Sequence, residues 1–251
     1  MLNAFCCVAV SSSINYGKFA EMSAVPHTDI PNDVPVFAVD DLAFGYSDEV
    51  LFEEVRFRLR AGETLQLSGG SGTGKSTLLR VLARLLPHTV GSLQLRGTES
   101  NSIPAQQYRR KVAYLQQLPV MLPGSVRDNL LLSFEYTDDE PPSEGDLRTE
   151  LQRVELEDVA LEQPASELSI GQQQRIAVLR LLFMQPEVLL LDEPTASLDE
   201  TSASALLSCV ADLQRNSGLC MVHVTHQWRP GAPQPTWSGT LRRGTMEVER
   251  T

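Results

Sequence analysis

The sequence predicts an α/β protein built on a mixed sheet, with antiparallel strands along one edge and a mostly helical segment inserted into the core. Three observations carry this reading. The runs Val188–Leu191 and Met221–Thr225 are continuously apolar or nearly so, as strands buried on both faces between helices must be. Val55, Phe57 and Leu59 alternate with Arg56, Arg58 and Arg60, the period-two pattern of a strand with one solvated face. From about Pro119 to Ser166 the sheet pattern is broken by Pro123-Gly124 and by the acidic run Thr137–Asp146, while Leu147–Val159 takes helical spacing with a charged face.

Taken in order, Met1–Pro35 is polar, contains prolines and lacks periodicity, so residues 1–35 read as a disordered tail. Ala4–Val10 is short and apolar without a basic flank, which makes a signal peptide the lesser reading, and Met22 is a candidate internal start. The first strand-like run is Val36–Val39; Ala61-Gly62-Glu63 turns the chain after Leu59 into the strand Thr64-Leu65-Gln66-Leu67. Glycine-rich residues 69–77 follow, and Ser76–Leu86 is apolar at helical spacing until Pro87. Thr201–Arg215 carries Leu206, Leu207, Val210 and Leu213 at helical spacing, a right-handed crossover between the two buried strands. Thr240-Leu241 and Met246–Glu249, around Arg242-Arg243-Gly244, form a last hairpin. The main domain is expected over 36–250, its helical insertion over about 119–180, with no regulatory domain after it.

At 251 residues the chain has room for one large α/β domain with a small insertion. A net charge of −11 argues against a nucleic-acid partner, since the basic runs, such as Arg109-Arg110-Lys111, are short. No apolar stretch reaches the roughly 18 residues of a membrane-spanning helix, so any membrane role passes through another subunit. Cys6, Cys7, Cys209 and Cys220 lack metal-ligand spacing and read as free thiols of a reducing cytosol. The acidic run reads as a solvated loop, because Pro141-Pro142 and Gly145 oppose compact cation ligation.

The chemistry begins at Gly69-Gly70-Ser71-Gly72-Thr73-Gly74-Lys75-Ser76-Thr77, which matches GxxxxGK(S/T). Glycines let consecutive amide N–H groups turn inward around phosphate oxygens, and the following helix N-terminus adds roughly 0.3–1 kcal/mol for an exposed anion. Lys75 is placed to reach the β- and γ-phosphates and Ser76 to offer a hydroxyl to Mg²⁺. Further on, the apolar strand Val188–Leu191 ends in Asp192-Glu193, where Asp192 can hold the Mg²⁺ shell and Glu193 can polarise an attacking water. Taken alone, such an acid pair could equally start a turn.

Leu168-Ser169-Ile170-Gly171-Gln172, just before a helix running to about Met184, resembles the LSGGQ signature of the ATP-binding-cassette (ABC) ATPases, with Ile170 in place of the first glycine. The other elements of that family follow in order: Tyr46 where an aromatic stacks on adenine, Tyr114-Leu115-Gln116-Gln117 for the Q-loop, Ser197-Leu198-Asp199 for the D-loop, and Val224-Thr225-His226 for the switch histidine. Either glutamine fits the loop, and register against Tyr114 favours Gln117. His223 reads as strand interior.

The resemblance spans roughly Val36–Arg250 and implies a P-loop NTPase ABC-ATPase fold binding ATP and Mg²⁺. It implies catalytic roles for Glu193, His226 and Gln117, and Mg²⁺ contacts from Ser76, Gln117 and Asp192. It also implies that Ser169, Gly171 and Gln172 serve the ATP of a second cassette, with Asp199 at the dimer contact. A homodimer or paired cassette, an integral-membrane permease and a peripheral place on the cytoplasmic face of the inner or plasma membrane are the corresponding expectations. Leu118–Phe134 would line the permease groove, with burial in the chain's own core as the competing account. This segment, together with Phe183–Glu200 (FMQPEVLLLDEPTASLDE) and a short tail, is similar to small bacterial cassettes that serve iron or other metal export. A soluble ATPase of cofactor assembly and a nucleotide-gated module with negligible turnover are the alternatives, the latter because of Ile170. Gln227–Pro235 departs from the family by replacing a helix with a proline-rich bypass.

Overall fold

The computed structural model describes residues 34–46, 49–88, 90–225, 228–242 and 244–251. The expected tail, apart from Val34 and Pro35, lies outside the described residues, as do Met22, Cys6, Cys7 and His226.

β1 (Phe37–Tyr46) and β2 (Glu49–Leu59) form an antiparallel pair. β2 shows the predicted alternation: Val55, Phe57 and Leu59 are buried, while Arg56 and Arg58 face outward to pair with Asp41 and Asp40 of β1. β1 starts where expected but continues to Tyr46. It also pairs with β4 (Val90–Leu95), a strand masked in the sequence by Gly91. A Cβ on Gly91 would lie 2.5 Å from the Asp41 carbonyl oxygen, so glycine is needed where the register of β1 slips. The short β5 (Thr98–Glu99) completes a four-stranded sheet of order β2-β1-β4-β5.

The second sheet has the order β10-β9-β3-β8-β7-β6. β3 (Thr64–Ser68), β6 (Val112–Leu115), β7 (Val188–Asp192), β8 (Cys220–Val224) and β9 (Trp237–Leu241) are parallel, and β10 (Met246–Arg250) closes the edge antiparallel to β9. Every residue of β7 and β8 is buried, which explains why these runs are apolar but for Asp192 and His223. Phe37, Phe52, Leu59 and Leu93 from the antiparallel sheet share one core with Leu65 and Leu67 of β3 and with Leu78 and Leu82 of α1 (Lys75–Leu82). Each such side chain contributes about 1.5–3 kcal/mol when fully removed from water.

Two helices differ from the expected bounds, for the same reason. α1 stops at Leu82 rather than near Pro87, because Arg84 turns left-handed at φ 53 and the Leu85 N–H reaches back to the Arg80 carbonyl at 2.8 Å. Arg84 is held in that turn by donating to the Ser100 and Ile103 carbonyls, and the Tyr108 hydroxyl caps the Leu82 carbonyl at 2.7 Å. Tertiary contacts thus override a periodicity that continues in the sequence.

α2 (Ala105–Lys111) precedes β6; between β6 and β7 lie α3 (Val126–Leu131), α4 (Glu144–Arg153) and α5 (Ile170–Leu182). The helix expected over Leu147–Val159 is α4, three residues earlier at its start and ended by Glu155 at φ 56. Its start lies inside the acidic run, where Ser143 and Asp146 form a reciprocal cap and the acids of the first turn complement the helix dipole. α6 (Glu200–Ser217) joins β7 to β8 as expected, and Gly218 at φ 69 ends it.

Candidate functional site

Strands β3, β8 and β7 run parallel with Leu67, Val224 and Asp192 at the same level, so the loops that leave their carboxyl ends converge. The loop after β3 takes φ 149 at Gly69, 77 at Gly72 and 98 at Gly74. At Gly69 a Cβ would sit 2.4 Å from the Leu241 carbonyl oxygen, a backbone atom that cannot step aside, and at Gly74 it would meet Leu51 Cγ at 2.9 Å. Gly69→Ala is therefore expected to lower stability by about 1–3 kcal/mol and to weaken nucleotide binding with it, read by thermal melting and ATP titration. An alanine variant with unaltered melting would show that the loop does not need this conformation.

Lys75, only 8% exposed, donates from Nζ to the Gly69 and Gly70 carbonyls at 2.8 and 2.9 Å. An ammonium has three donors, and the third remains for an anion at the mouth of the loop. Thr73 ties the loop across itself by donating from Oγ1 to the Gly70 carbonyl at 2.9 Å. Ser71 and Gly72 are exposed at the rim, while Ser76 and Thr77 are half-buried in the first turn of α1. Leu51, packed against Gly74, joins this loop to the β1–β2 hairpin that carries Tyr46. Tyr46 is 56% exposed and meets Phe44 edge-on at 4.9 Å, which leaves ring surface for a stacked base.

At the end of β7, Asp192 is buried and accepts from the Tyr114 hydroxyl at 3.2 Å. Burial, followed by the neighbouring Asp192 carboxylate, pushes the Tyr114 pKa up to about 12 and keeps the phenol a donor. Glu193 lies in the left-handed region at φ 48, its N–H bonded to the Val224 carbonyl at 3.1 Å and its Oε2 receiving Gln117 Nε2 at 3.4 Å. Of the two glutamines after β6, Gln117 is thus the one that reaches the acid pair. A non-glycine residue held in this conformation at a strand end is a common mark of a site that fixes its side chain.

These groups suit Mg²⁺ with a polyphosphate. Among the described residues no cluster of three or more His, Cys, Asp or Glu could cage a metal. Mg²⁺ needs only one or two carboxylates beside phosphate oxygens and waters, and Asp192, Ser76 and Gln117 are the available ligands.

Ser169, Gly171, Gln172 and Asp199 form a separate group; no hydrogen bond among the described residues links them to the glycine loop. Ser169 caps α5, accepting from the Gln172 N–H at 3.3 Å while Gln172 Oε1 accepts from the Ser169 N–H at 2.9 Å. Gly171 faces the D-loop, its Cβ position 3.1 Å from Leu198 Cδ2, and Ile170 points outward at 56% exposure. Asp199 caps α6, and the Ser202 N–H on its carboxylate holds its pKa below the usual range.

His226 lies outside the described residues; β8 brings the chain to Val224, two residues short of it. His223 occupies the strand interior as expected, 2% exposed, with burial pushing its pKa down to about 4 and leaving the ring neutral beside Trp228. Sequence reasoning missed Leu51 and used Tyr114 only to set the register of the glutamines. The hydroxyl of Tyr114, two residues before Gln116 in a strand adjacent to β7, was the available signal.

Next to the Q-loop segment lies an open groove of about 630 Å³ whose lining includes Val120, Leu122, Leu132, Tyr136, Arg180 and Met184. Leu118, Val120 and Leu122 are exposed, whereas Val126 and Leu130 from the same segment are buried. Burial in the chain's own core therefore accounts for Val126 and Leu130, while Leu118, Val120 and Leu122 are left at the surface.

The family model described as ABC transporter matches residues 52–196, from β2 through the glycine loop, signature and acid pair. The chain is 33% identical over 192 residues to FetA, a probable iron export ATP-binding protein of Escherichia coli (strain K12), covering 76% of this chain and 85% of that protein. It is 38% identical over 178 residues to protein STAR1 of Oryza sativa subsp. japonica, 71% of this chain but only 51% of that protein. Among solved structures, cbiO1 from Clostridium perfringens, part of the ABC transporter complex cbiONQ, superposes with TM-score 0.70 and 25% identity over 87% of this chain and 89% of that one. A bacterial Atm1-family ABC exporter with ATP bound shares the fold at TM-score 0.75 and 21% identity, over 88% of this chain and 40% of that one. The glycine loop, the acid pair and the capped signature helix thus belong to one known constellation, and the chain is a member of the ABC transporter family, an ATP-hydrolysing cassette.

Proposed function

We propose that the chain is the detached ATPase cassette of a transporter, pairing head to tail with a second cassette and driving a separate integral-membrane permease from the cytoplasmic face of the membrane. The observation that carries this reading is the open, largely apolar groove lined in part by Val120 and Leu122 of the segment that follows Gln117, in a chain whose described residues include no helix long and apolar enough to cross a membrane. Such a groove suits a short amphipathic helix of a partner, and Val120 on its wall lies three residues after Gln117, which bonds to Glu193, so docking and hydrolysis would share one segment of chain.

In the proposed cycle Lys75 and the loop amides of residues 69–77 hold the ATP phosphates, and Tyr46 stacks on the base. Asp192, Ser76 and Gln117 would hold Mg²⁺, which when bound would supply charge neutralisation for the transferring phosphoryl group. Glu193 orients and deprotonates the attacking water, with His226 on the γ-phosphate. Ser169, Gly171 and Gln172 face the partner's ATP, and Asp199 meets the partner across the interface. ATP then stabilises the closed pair by mass action. The likeness to FetA favours a metal ion, iron among them, as exported cargo.

Mild solubilisation of membranes containing a tagged chain tests the reading. The expected result is copurification with one multi-span membrane protein and ATP turnover stimulated several-fold by it. Val120→Glu, which puts a charge on the groove at a residue already 53% exposed, should abolish the stimulation without altering nucleotide binding. If the chain is recovered free of any membrane protein and turns over ATP at its full rate alone, the permease reading is wrong.

A further inference from the structure

Just past the end of α4, Glu155 sits at φ 56, the left-handed position that follows a helix and ordinarily takes glycine. The closing bonds there, Glu155 N–H to the Gln152 carbonyl at 3.0 Å and Leu156 N–H to the Leu151 carbonyl at 2.9 Å, are backbone bonds that a glycine would make as well. A glutamate kept in this conformation points to a use for its carboxylate.

That carboxylate accepts from Ser202 Oγ at 3.1 Å and lies 4.0 Å from the Arg175 guanidinium. Arg175, 9% exposed on α5, donates from Nη1 to the Val154 and Glu155 carbonyls at 2.9 and 3.0 Å, and from Nε to the Gly171 carbonyl at 3.3 Å. Burial lowers the Arg175 pKa, while the Glu155 and Asp199 carboxylates act the other way and favour its charge. On the far side, the buried Ser202 gives its backbone N–H to Asp199 Oδ1 at 3.0 Å. A continuous linkage therefore runs from Gly171 of the signature, through Arg175, Glu155 and Ser202, to Asp199 of the D-loop. It spans α5, the end of α4 and the first turn of α6, three elements far apart in sequence. The two loops also touch directly where Gly171 packs on Leu198.

We propose that Glu155 is a positioning residue which locks the signature and the D-loop into one rigid face, so that both meet the partner cassette together. It contacts no nucleotide and acts only through Gly171 and Asp199; the inference rests on the two-cassette reading above. The left-handed backbone is the conformational cost of placing an acid where three elements converge. Loosening it should spare ATP binding to the single chain, whose loop and Lys75 lie elsewhere, and weaken only closure of the pair.

The test uses the full chain carrying Glu193→Gln, which is expected to trap the closed pair, with and without Glu155→Gly. Three quantities are read: thermal melting, affinity of the single chain for a fluorescent ATP analogue, and the ATP concentration giving half-maximal dimer on a sizing column. Glycine relieves the backbone, so melting should stay level or rise while analogue affinity stays within about twofold. The ATP required for dimer should increase by about tenfold or more, from the lower end of the effect of losing a hydrogen bond to a charged group. Glu155→Gln, which keeps an acceptor for Ser202, should recover part of the loss. Ser202→Ala should cause a similar loss and add little to Glu155→Gly, as expected of partners in one linkage.

Dimerisation of Glu155→Gly at the parent's ATP concentration overturns the proposal and leaves Glu155 as a helix terminator. A parallel fall in melting and dimer overturns it in favour of a folding role. If the Glu193→Gln parent itself never dimerises with ATP, the two-cassette reading falls and takes this inference with it; a defect or its absence in Glu155→Gly alone bears only on Glu155.

Discussion

Glu193→Gln is expected to slow steady-state ATP hydrolysis by about 10²–10³-fold, within the range that a positioned general base contributes. Glutamine matches glutamate in size and keeps an oxygen for the Gln117 Nε2 contact seen at 3.4 Å, so the geometry at the end of β7 should survive. What is lost is the ability to take a proton from water. Closure, which precedes hydrolysis in the proposed cycle, remains possible, so ATP-bound dimers should accumulate with ATP and Mg²⁺. Phosphate release and the elution position of the chain with ATP measure both effects. Undiminished turnover would falsify the assignment of Glu193 as the base.

Lys75→Ala should act earlier, at binding. Loss of a charge-assisted hydrogen bond costs about 1.5–3 kcal/mol, or roughly 10- to 150-fold in nucleotide affinity. The structure adds a second reason for a large effect. The ammonium also ties the Gly69 and Gly70 carbonyls at 2.8 and 2.9 Å, so its removal loosens the loop before any nucleotide arrives. Lys75→Arg should restore little, because a planar guanidinium cannot reproduce two converging bonds in a pocket where the residue is 8% exposed. Titration with a fluorescent ATP analogue separates the outcomes; near-normal affinity in Lys75→Ala would place the phosphates somewhere other than this loop.

The fold was readable wherever periodicity and punctuation agreed. β7, β8 and α6 appear at their expected places because β7 and β8 are buried on both faces and α6 packs a stripe of Leu206, Leu207 and Val210. β4 escaped notice because Gly91 interrupts it, and that glycine answers to the close approach of Asp41, which no local pattern records. The ends of α1 and α4 were misplaced because both stop at a left-handed non-glycine residue, Arg84 and Glu155, fixed by partners distant in sequence. In the site, Gly69, Lys75 and Asp192-Glu193 were legible because phosphate and Mg²⁺ chemistry restricts both residue type and spacing. Leu51, Tyr114, Arg175 and Glu155 act through contacts across 20 to 80 positions of chain, and no spacing rule exposes those.

The carbonyl of Leu241 seated beneath Gly69 ties the opening motif of the cassette to one of its last strands. Ser68 makes the same connection through its hydroxyl, which donates to the Gly239 carbonyl at 3.1 Å. β3 and β9 stand side by side although about 170 residues separate them. On a ribosome the glycine loop emerges well ahead of the strand that supports it. The nascent chain therefore carries a recognisable nucleotide motif long before it owns a nucleotide site, and capture of ATP is deferred until β9 has been made.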